Sequence, residues 1–207
     1  LCRMERETGK PFWKIVQEDD CVEQGISAEE SFAQMRGMYQ AMQYADAHYD
    51  ETLKSASGLV GTEGTRMKRA REAGTLLCGD FIGKVMEKAL KTSESNACMK
   101  RIVAAPTAGS SGVVPAAVVT LGDQMGLPDE EIRKGLLAAG LVGAFIANQA
   151  TFGGEVGACQ AENGSASAMA AAGVVQLLNG TVEQSFQAAS LAMQNMLGLI
   201  CDPVAGL

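Results

Sequence analysis

The sequence predicts an all-α fold: one compact helical domain over 1–207, whose glycine-rich loops form the active site. Three observations predict it. Apolar residues recur at intervals of three and four over long stretches, the period of a helix with one buried face. Two stretches carry the capping-box signature of a helix start, Ser27 with Glu30 and Thr181 with Gln184. Strand signals are nearly absent; only "RIVAA" and "AAVVTL" could be argued, and both are short. No internal repeat or clear boundary divides the chain, and residues 1–50 are a candidate separate lobe.

The elements follow in order. From Ser27, "ISAEESFAQMRGMYQAMQYADAHY" places Phe32, Met35, Tyr39, Met42 and Tyr49 at helical spacing. "SASGLVGTEG", residues 55 to 64, is rich in glycine and serine and reads as a loop. A long helical pattern runs from about Thr65 to Leu90, with a candidate break near Gly79. "KTSESNACMKRIVAAP" reads as a connection that Pro106 ends, and "TAGSSG" as a loop. "VVPAAVVTLGDQMG" reads as a short buried helix. Pro128 and the acidic "DEE" open the next helix, proline and acids both suiting a first turn. "SASAMAAAGVVQLLNG" is a helix closed by Asn179-Gly180. The last helix starts at Thr181 and runs to about Leu197.

Composition excludes several functions. Apolar residues make up 47% of the chain but aromatics only 5%, so the core must be built from Ala, Val, Leu, Ile and Met. Net charge is −7 without a basic cluster, which argues against nucleic acid or an anionic membrane as partner. The apolar run between Lys134 and Glu155 is broken by Asn148, Gln149 and Thr151, too short for the roughly 20 residues that span a bilayer. The first residues are charged rather than apolar, so no signal peptide is read and a cytoplasmic location is expected. Cysteines at 2, 21, 78, 98, 159 and 201 show no framework spacing and read as thiols or metal ligands rather than disulfides.

Three stretches stand out chemically. In "APTAGSSGVVPAA", Gly109, Ser110, Ser111 and Gly112 precede a helix start, where backbone N–H groups and the helix dipole make an anion site. The hydroxyls of Thr107, Ser110 and Ser111 add donors. An ordinary helix–helix turn is the plainer reading of that loop taken alone, and no Gly-Lys-Ser/Thr follows to make it a P-loop. In "GGEVGACQAENGSASA", Cys159 sits among Gly, Ala, Gln and Glu near a helix start, a setting for a nucleophile or metal ligand rather than a core thiol. In "GLICDPVAGL", Cys201 stands before Asp202-Pro203, which stops the preceding helix. The other four cysteines read as structural or incidental. His48 reads as solvated or capping, and "QEDD" and "RMKRAR" as solvated faces.

Taken together and in this order, "RIVAAPTAGSSGVVPAA", "GGEVGACQAENGSASAMAAAG" and "GLICDPVAGL" resemble the catalytic chain of the iron–sulfur-dependent L-serine dehydratases, in particular the alpha chain of the two-chain form. The resemblance runs with few gaps from about Gly58 to Leu207 and continues more weakly upstream. It implies a [4Fe–4S] cluster held by three cysteines, two of them Cys159 and Cys201. The third falls in a continuation, C-D-P-V-x-G-L-x-x-x-P-C, beyond Leu207, so a truncated chain is expected, inactive by itself. The resemblance further implies that the cluster acts as a Lewis acid on the hydroxyl of L-serine while a base removes the α-proton, giving pyruvate and ammonia. The loop at Thr107, Gly109, Ser110, Ser111 and Gly112 would suit the substrate carboxylate or the surroundings of the cluster. The family's Ser-Ser-His-Thr stretch, carried in two-chain members by a beta chain, has no counterpart here. A beta chain is therefore the expected partner, with a homo-oligomer also open, and the general base is not identified.

Two other readings remain. A pyridoxal-phosphate lyase would use "TAGSSG" for the phosphate, but it needs alternating strands and helices and a Schiff-base lysine, and no lysine lies between Lys134 and Leu207. A non-catalytic helical interaction module would explain the Ala-rich helices and leave the polar glycine loops without a reason.

Overall fold

A computed structural model describes residues 1–199. Its helices are α1 (Cys2–Thr8), α2 (Phe12–Gln24), α3 (Ala28–Ala47), α4 (Glu63–Glu72), α5 (Gly79–Ala97), α6 (Thr120–Met125), α7 (Asp129–Ala147), α8 (Gly154–Leu177) and α9 (Val182–Gln194). A π-helical turn, Pro115–Val119, leads directly into α6. No strand occurs among the described residues, and "RIVAA" and "AAVVTL" form coil and helix. The all-α class is the observed one.

The core sits where α7 and α8 cross. Ile132, Leu136, Ala139 and Val142 form one stripe of α7, and Ala168, Met169, Ala172 and Leu177 the facing stripe of α8. Tyr39 and Met42 of α3 and Val114, Val118 and Val119 complete the cluster. Aliphatic and small side chains dominate, as the scarcity of aromatics requires, though Phe12 and Tyr39 are also buried.

The Thr181 capping box is complete: Thr181 Oγ1 accepts from Gln184 N–H at 3.2 Å and Gln184 Oε1 accepts from Thr181 N–H at 2.9 Å. At Ser27 the forward half of the box is formed, Ser27 Oγ accepting from Glu30 N–H at 3.1 Å. Pro128 precedes α7 as its N-cap, and Asp129, Glu130 and Glu131 fill the first turn. α8 ends at Leu177, and it is Asn179, not Gly180, that takes the left-handed conformation.

The candidate break near Gly79 is present: the pattern from Thr65 to Leu90 is two helices, separated where Gly74 and Gly79 adopt positive φ. Three expectations need correction. α5 runs on to Ala97, through residues read as a connection, because Thr92, Glu94 and Ser95 are buried polar side chains rather than loop residues. Thr92 Oγ1 donates to Lys88 O and Glu94 accepts from Gly64 N–H, which satisfies them inside the protein. "QEDD" is partly inside as well: Gln17 is buried and donates to Ala28 O, and Asp20 accepts from Ser31 Oγ. In "RMKRAR", Arg71 is held by Glu87, Asp80 and Glu72 and is not a solvated residue.

α1 and α2 were not foreseen. Both are charged on most sides, but Phe12, Ile15 and Val16 give α2 a buried stripe against Ala138 and Val182. Trp13 N–H donates to Gln176 Oε1 on α8, and Glu5 Oε1 accepts from Val182 N–H in the first turn of α9. The second contact supplies a carboxylate to a helix N-terminus, where charge and orphan donors both favour it.

Candidate active site

The loop between α5 and the π-helical turn folds on its own polar groups. Thr107 Oγ1 and Ser110 Oγ are 3.1 Å apart, and Thr107 N–H donates to Ser110 Oγ at 3.4 Å. Ser111 N–H donates to Ala108 O and Val113 N–H to Ser110 O, which closes two successive turns into the helix. Ser110 and Ser111 are buried, while Ala108 and Gly109 remain exposed. Gly112 lies so close to α5 that a methyl group there would stand 2.6 Å from Ala89 O. The hydroxyl of Ser111 is buried and makes no hydrogen bond.

Cys159 does not lie in a glycine loop. The stretch "GGEVGACQAENG" is helical from Gly154 onward, because its glycines are too few to break a helix that continues into "SASAMAAAG". The helix is instead kinked at one residue, Ala158, whose backbone stands at φ 57°, ψ −177°. Cys159 therefore opens the longer helical segment, at the end where free N–H groups favour an anionic sulfur.

The kink also folds the first turn of α8 back. In a straight helix, residues eight apart are separated by about 12 Å along the axis. Here a methyl group on Gly154 would come within 3.3 Å of the Glu162 carboxyl carbon. The same carboxylate faces the serine loop, its Oε2 2.9 Å from where a methyl group on Gly109 would stand. The loop and the Cys159 segment, some 50 residues apart in sequence, thus meet across Glu162. Glu162 stood in a quoted motif but was not singled out; an acid one turn after a ligand-type cysteine was the available signal.

Of the expected site residues, Thr107, Gly109, Ser110, Ser111 and Gly112 form one loop, and the turn after Cys159 faces it. Cys201 lies outside the described residues. A thiol at a helix start fits the soft-ligand chemistry of an iron–sulfur cluster. Among the described residues, no three His, Cys, Asp or Glu side chains are grouped to hold a metal ion.

Other polar clusters have structural explanations. His48 ends α3, with its ring stacked on Tyr44 at 3.8 Å and Nδ1 3.0 Å from Tyr44 O. A cavity between α3, α5 and the π-helical turn contains Lys88, but Asp46 and Asp123 bridge that ammonium at 3.4 and 3.2 Å. No helix among the described residues is long and apolar enough to cross a membrane.

Comparison with known proteins bears on the same stretches. The sequence model of the serine dehydratase alpha chain family matches residues 7–207. The chain is 40% identical to an L-serine dehydratase alpha chain of Peptoniphilus asaccharolyticus, over 97% of this chain and 69% of that one. It is 40% identical to a probable L-serine dehydratase alpha chain of Bacillus subtilis, over 93% of this chain and 64% of that one. With an L-serine dehydratase of Streptomyces coelicolor it shares 32% identity over its whole length, which is 46% of that protein.

Proposed function

From the premise that the chain belongs to the serine dehydratase alpha chain family, we propose that it is the catalytic chain of an iron–sulfur L-serine dehydratase. The reaction is an α,β-elimination. The α-proton and the β-hydroxyl leave L-serine as water, and the aminoacrylate formed tautomerises to an imine, which water hydrolyses to pyruvate and ammonia. One structural observation carries the reading beyond similarity: the Ser110–Ser111 loop and the helical turn after Cys159 meet at Glu162. Two of the three motifs that resemble the family thereby line one place.

Cys159 and Cys201 would be cluster ligands. When bound, the [4Fe–4S] cluster supplies a Lewis acid for departure of the hydroxyl. The chain's own residues do the rest that this site can do. Exposed Gly109 lets a small substrate approach the loop backbone, and the loop at Thr107, Ser110 and Ser111, rich in hydroxyls, suits its carboxylate. The close packing of Gly112 on Ala89 fixes the loop against α5, so that its donors are held before substrate arrives. The beta chain, a separate partner, would provide the base.

The test is anaerobic reconstitution of the full alpha chain with its beta chain, followed by iron, sulfide and pyruvate assays. Iron uptake with serine-dependent pyruvate release is expected, and Cys159→Ser should lower both together. Iron-loaded protein that forms no pyruvate from L-serine would overturn the assignment. An activity that needs extractable pyridoxal phosphate would replace it with the lyase reading.

A further inference from the structure

We infer that the Glu162 carboxylate receives the α-ammonium group of the substrate, so that the serine loop and α8 together read an amino-acid zwitterion. This rests on the dehydratase reading given above. Three observations lead to it. The carboxylate stands about one methyl group's reach from Gly109, the exposed glycine of the loop. Among the described residues no ion pair or hydrogen bond engages it. The same loop contains the buried, unpartnered hydroxyl of Ser111.

Charge decides what can bind between these groups. A substrate that brought only a carboxylate to the loop would be repelled by Glu162 at close range. A cation alone would leave the loop donors and the Ser111 hydroxyl unused. An α-amino acid carries both groups on one carbon, so one small molecule can address the loop and the adjoining carboxylate together. The kink at Ala158 belongs to the same device, since it turns Gly154 against Glu162 and narrows the freedom of the carboxylate. Neither glycine has a side chain to intervene, and a Cβ at Gly109 would press on Oε2.

The role is one of specificity, and it is separable from proton abstraction. The measurement is equilibrium binding of L-alanine and of propionate to the reconstituted alpha–beta complex, by calorimetry. L-alanine lacks the leaving hydroxyl and cannot eliminate; propionate differs from it only by lacking the ammonium group. Wild-type protein should prefer L-alanine. Glu162→Gln should weaken L-alanine by about 10- to 100-fold, the range of a hydrogen bond to a charged group, and leave propionate unchanged. Its KM for serine should rise by a similar factor while kcat stays within a few fold. Glu162→Asp, which keeps the charge with a shorter reach, should fall between the two and provides the test if the amide variant does not fold. Equal losses for both ligands, no loss for either, or a collapse of kcat with L-alanine binding intact would each overturn the inference. A wild-type complex that makes no pyruvate from serine would sink the dehydratase reading and this inference with it.

Discussion

Gly135 of α7 and Gly173 of α8 press backbone to backbone at the crossing of the two central helices. A methyl group on Gly135 would stand 3.1 Å from Gly173 O, and one on Gly173 would stand 3.0 Å from Gly135 O and 2.8 Å from Val118 Cγ2. The two helices can approach this closely only because both positions lack a Cβ. That approach seats α8, and with it the turn that carries Cys159 and Glu162.

Gly173→Ala is therefore expected to destabilise the protein by about 1–3 kcal/mol, the usual cost of overpacking a tight core. For a chain of this size that is a fall of roughly 2–4 °C in Tm per kcal/mol. Gly140, also on α7, has open space around its Cα. Gly140→Ala should instead stabilise by about 0.5–1 kcal/mol through helix propensity. Thermal unfolding of the pair checks both signs, and equal melting temperatures for the two variants would contradict the close approach.

Glu87 is the buried anion of the α4–α5 pair. It accepts from Arg71 Nε at 2.8 Å and pairs with Lys91 Nζ at 2.6 Å. Burial pushes its carboxyl upward, but the hydrogen bonds from Lys91 and Arg71 outweigh it and hold the group below the usual carboxylate range. Glu87→Gln weakens two charge-assisted hydrogen bonds but leaves Arg71 with Asp80 and Lys91 with Asp46, and should cost about 1.5–3 kcal/mol. A depressed folded pKa contributes stability above the unfolded value, and that part is lost as pH falls through the folded one. The variant should accordingly lose less stability than wild type as pH falls below the ordinary glutamate value, about 4.3. Denaturant midpoints across that range would show it, and parallel pH profiles would refute it.

At the alkaline end two tyrosines dominate. Burial and then the hydrogen bond to Glu94 push Tyr49 up to about 12. Burial, reinforced by Asp129, raises Tyr39 further. A phenol whose folded pKa is raised stabilises the fold below its unfolded pKa, near 10, and loses that contribution as pH climbs to the folded value. Stability should therefore fall from about pH 10 upward. Tyr49→Phe, which cannot ionise, should flatten the decline between pH 10 and 12. An unchanged slope would mean that Tyr49 ionises in the folded protein as it does in water.

Much of the fold was legible because its signals are local. The Thr181 box and the acids after Pro128 mark helix starts whatever surrounds them, and both stand where the pattern put them. The misreadings share a cause: tertiary burial of polar groups. Thr92, Glu94 and Ser95 resemble a loop until Gly64 N–H and Lys88 O are seen to satisfy them. α2 hid its short Phe12, Ile15, Val16 stripe among charges. At the site, the serine loop was legible from its composition. The role of Glu162 was not, because it depends on a kink that no residue type announces: Ala158 has no sequence-level reason to leave the helical region.

That kink carries the last prediction. At φ 57°, ψ −177° Ala158 occupies a region open to glycine and costly for any residue with a Cβ, by about 1–3 kcal/mol. Glycine costs about 0.5–1 kcal/mol more to order than alanine. Ala158→Gly should thus leave stability unchanged or raise it by up to about 2 kcal/mol, the strain relieved less the added entropy. In an ordinary helix interior the same substitution would lower stability by about 1 kcal/mol. The two cases differ in sign, so one melting curve separates them. Ala158→Val should act the opposite way, since a β-branched side chain fits this region worse still. If the backbone escapes by straightening α8, Gly154 would withdraw from Glu162, and the valine variant would lose its preference for L-alanine over propionate together with its stability. A glycine variant that melts about 1 kcal/mol below wild type would show that α8 runs straight through Ala158, and the meeting of loop, thiol segment and carboxylate would have to be abandoned.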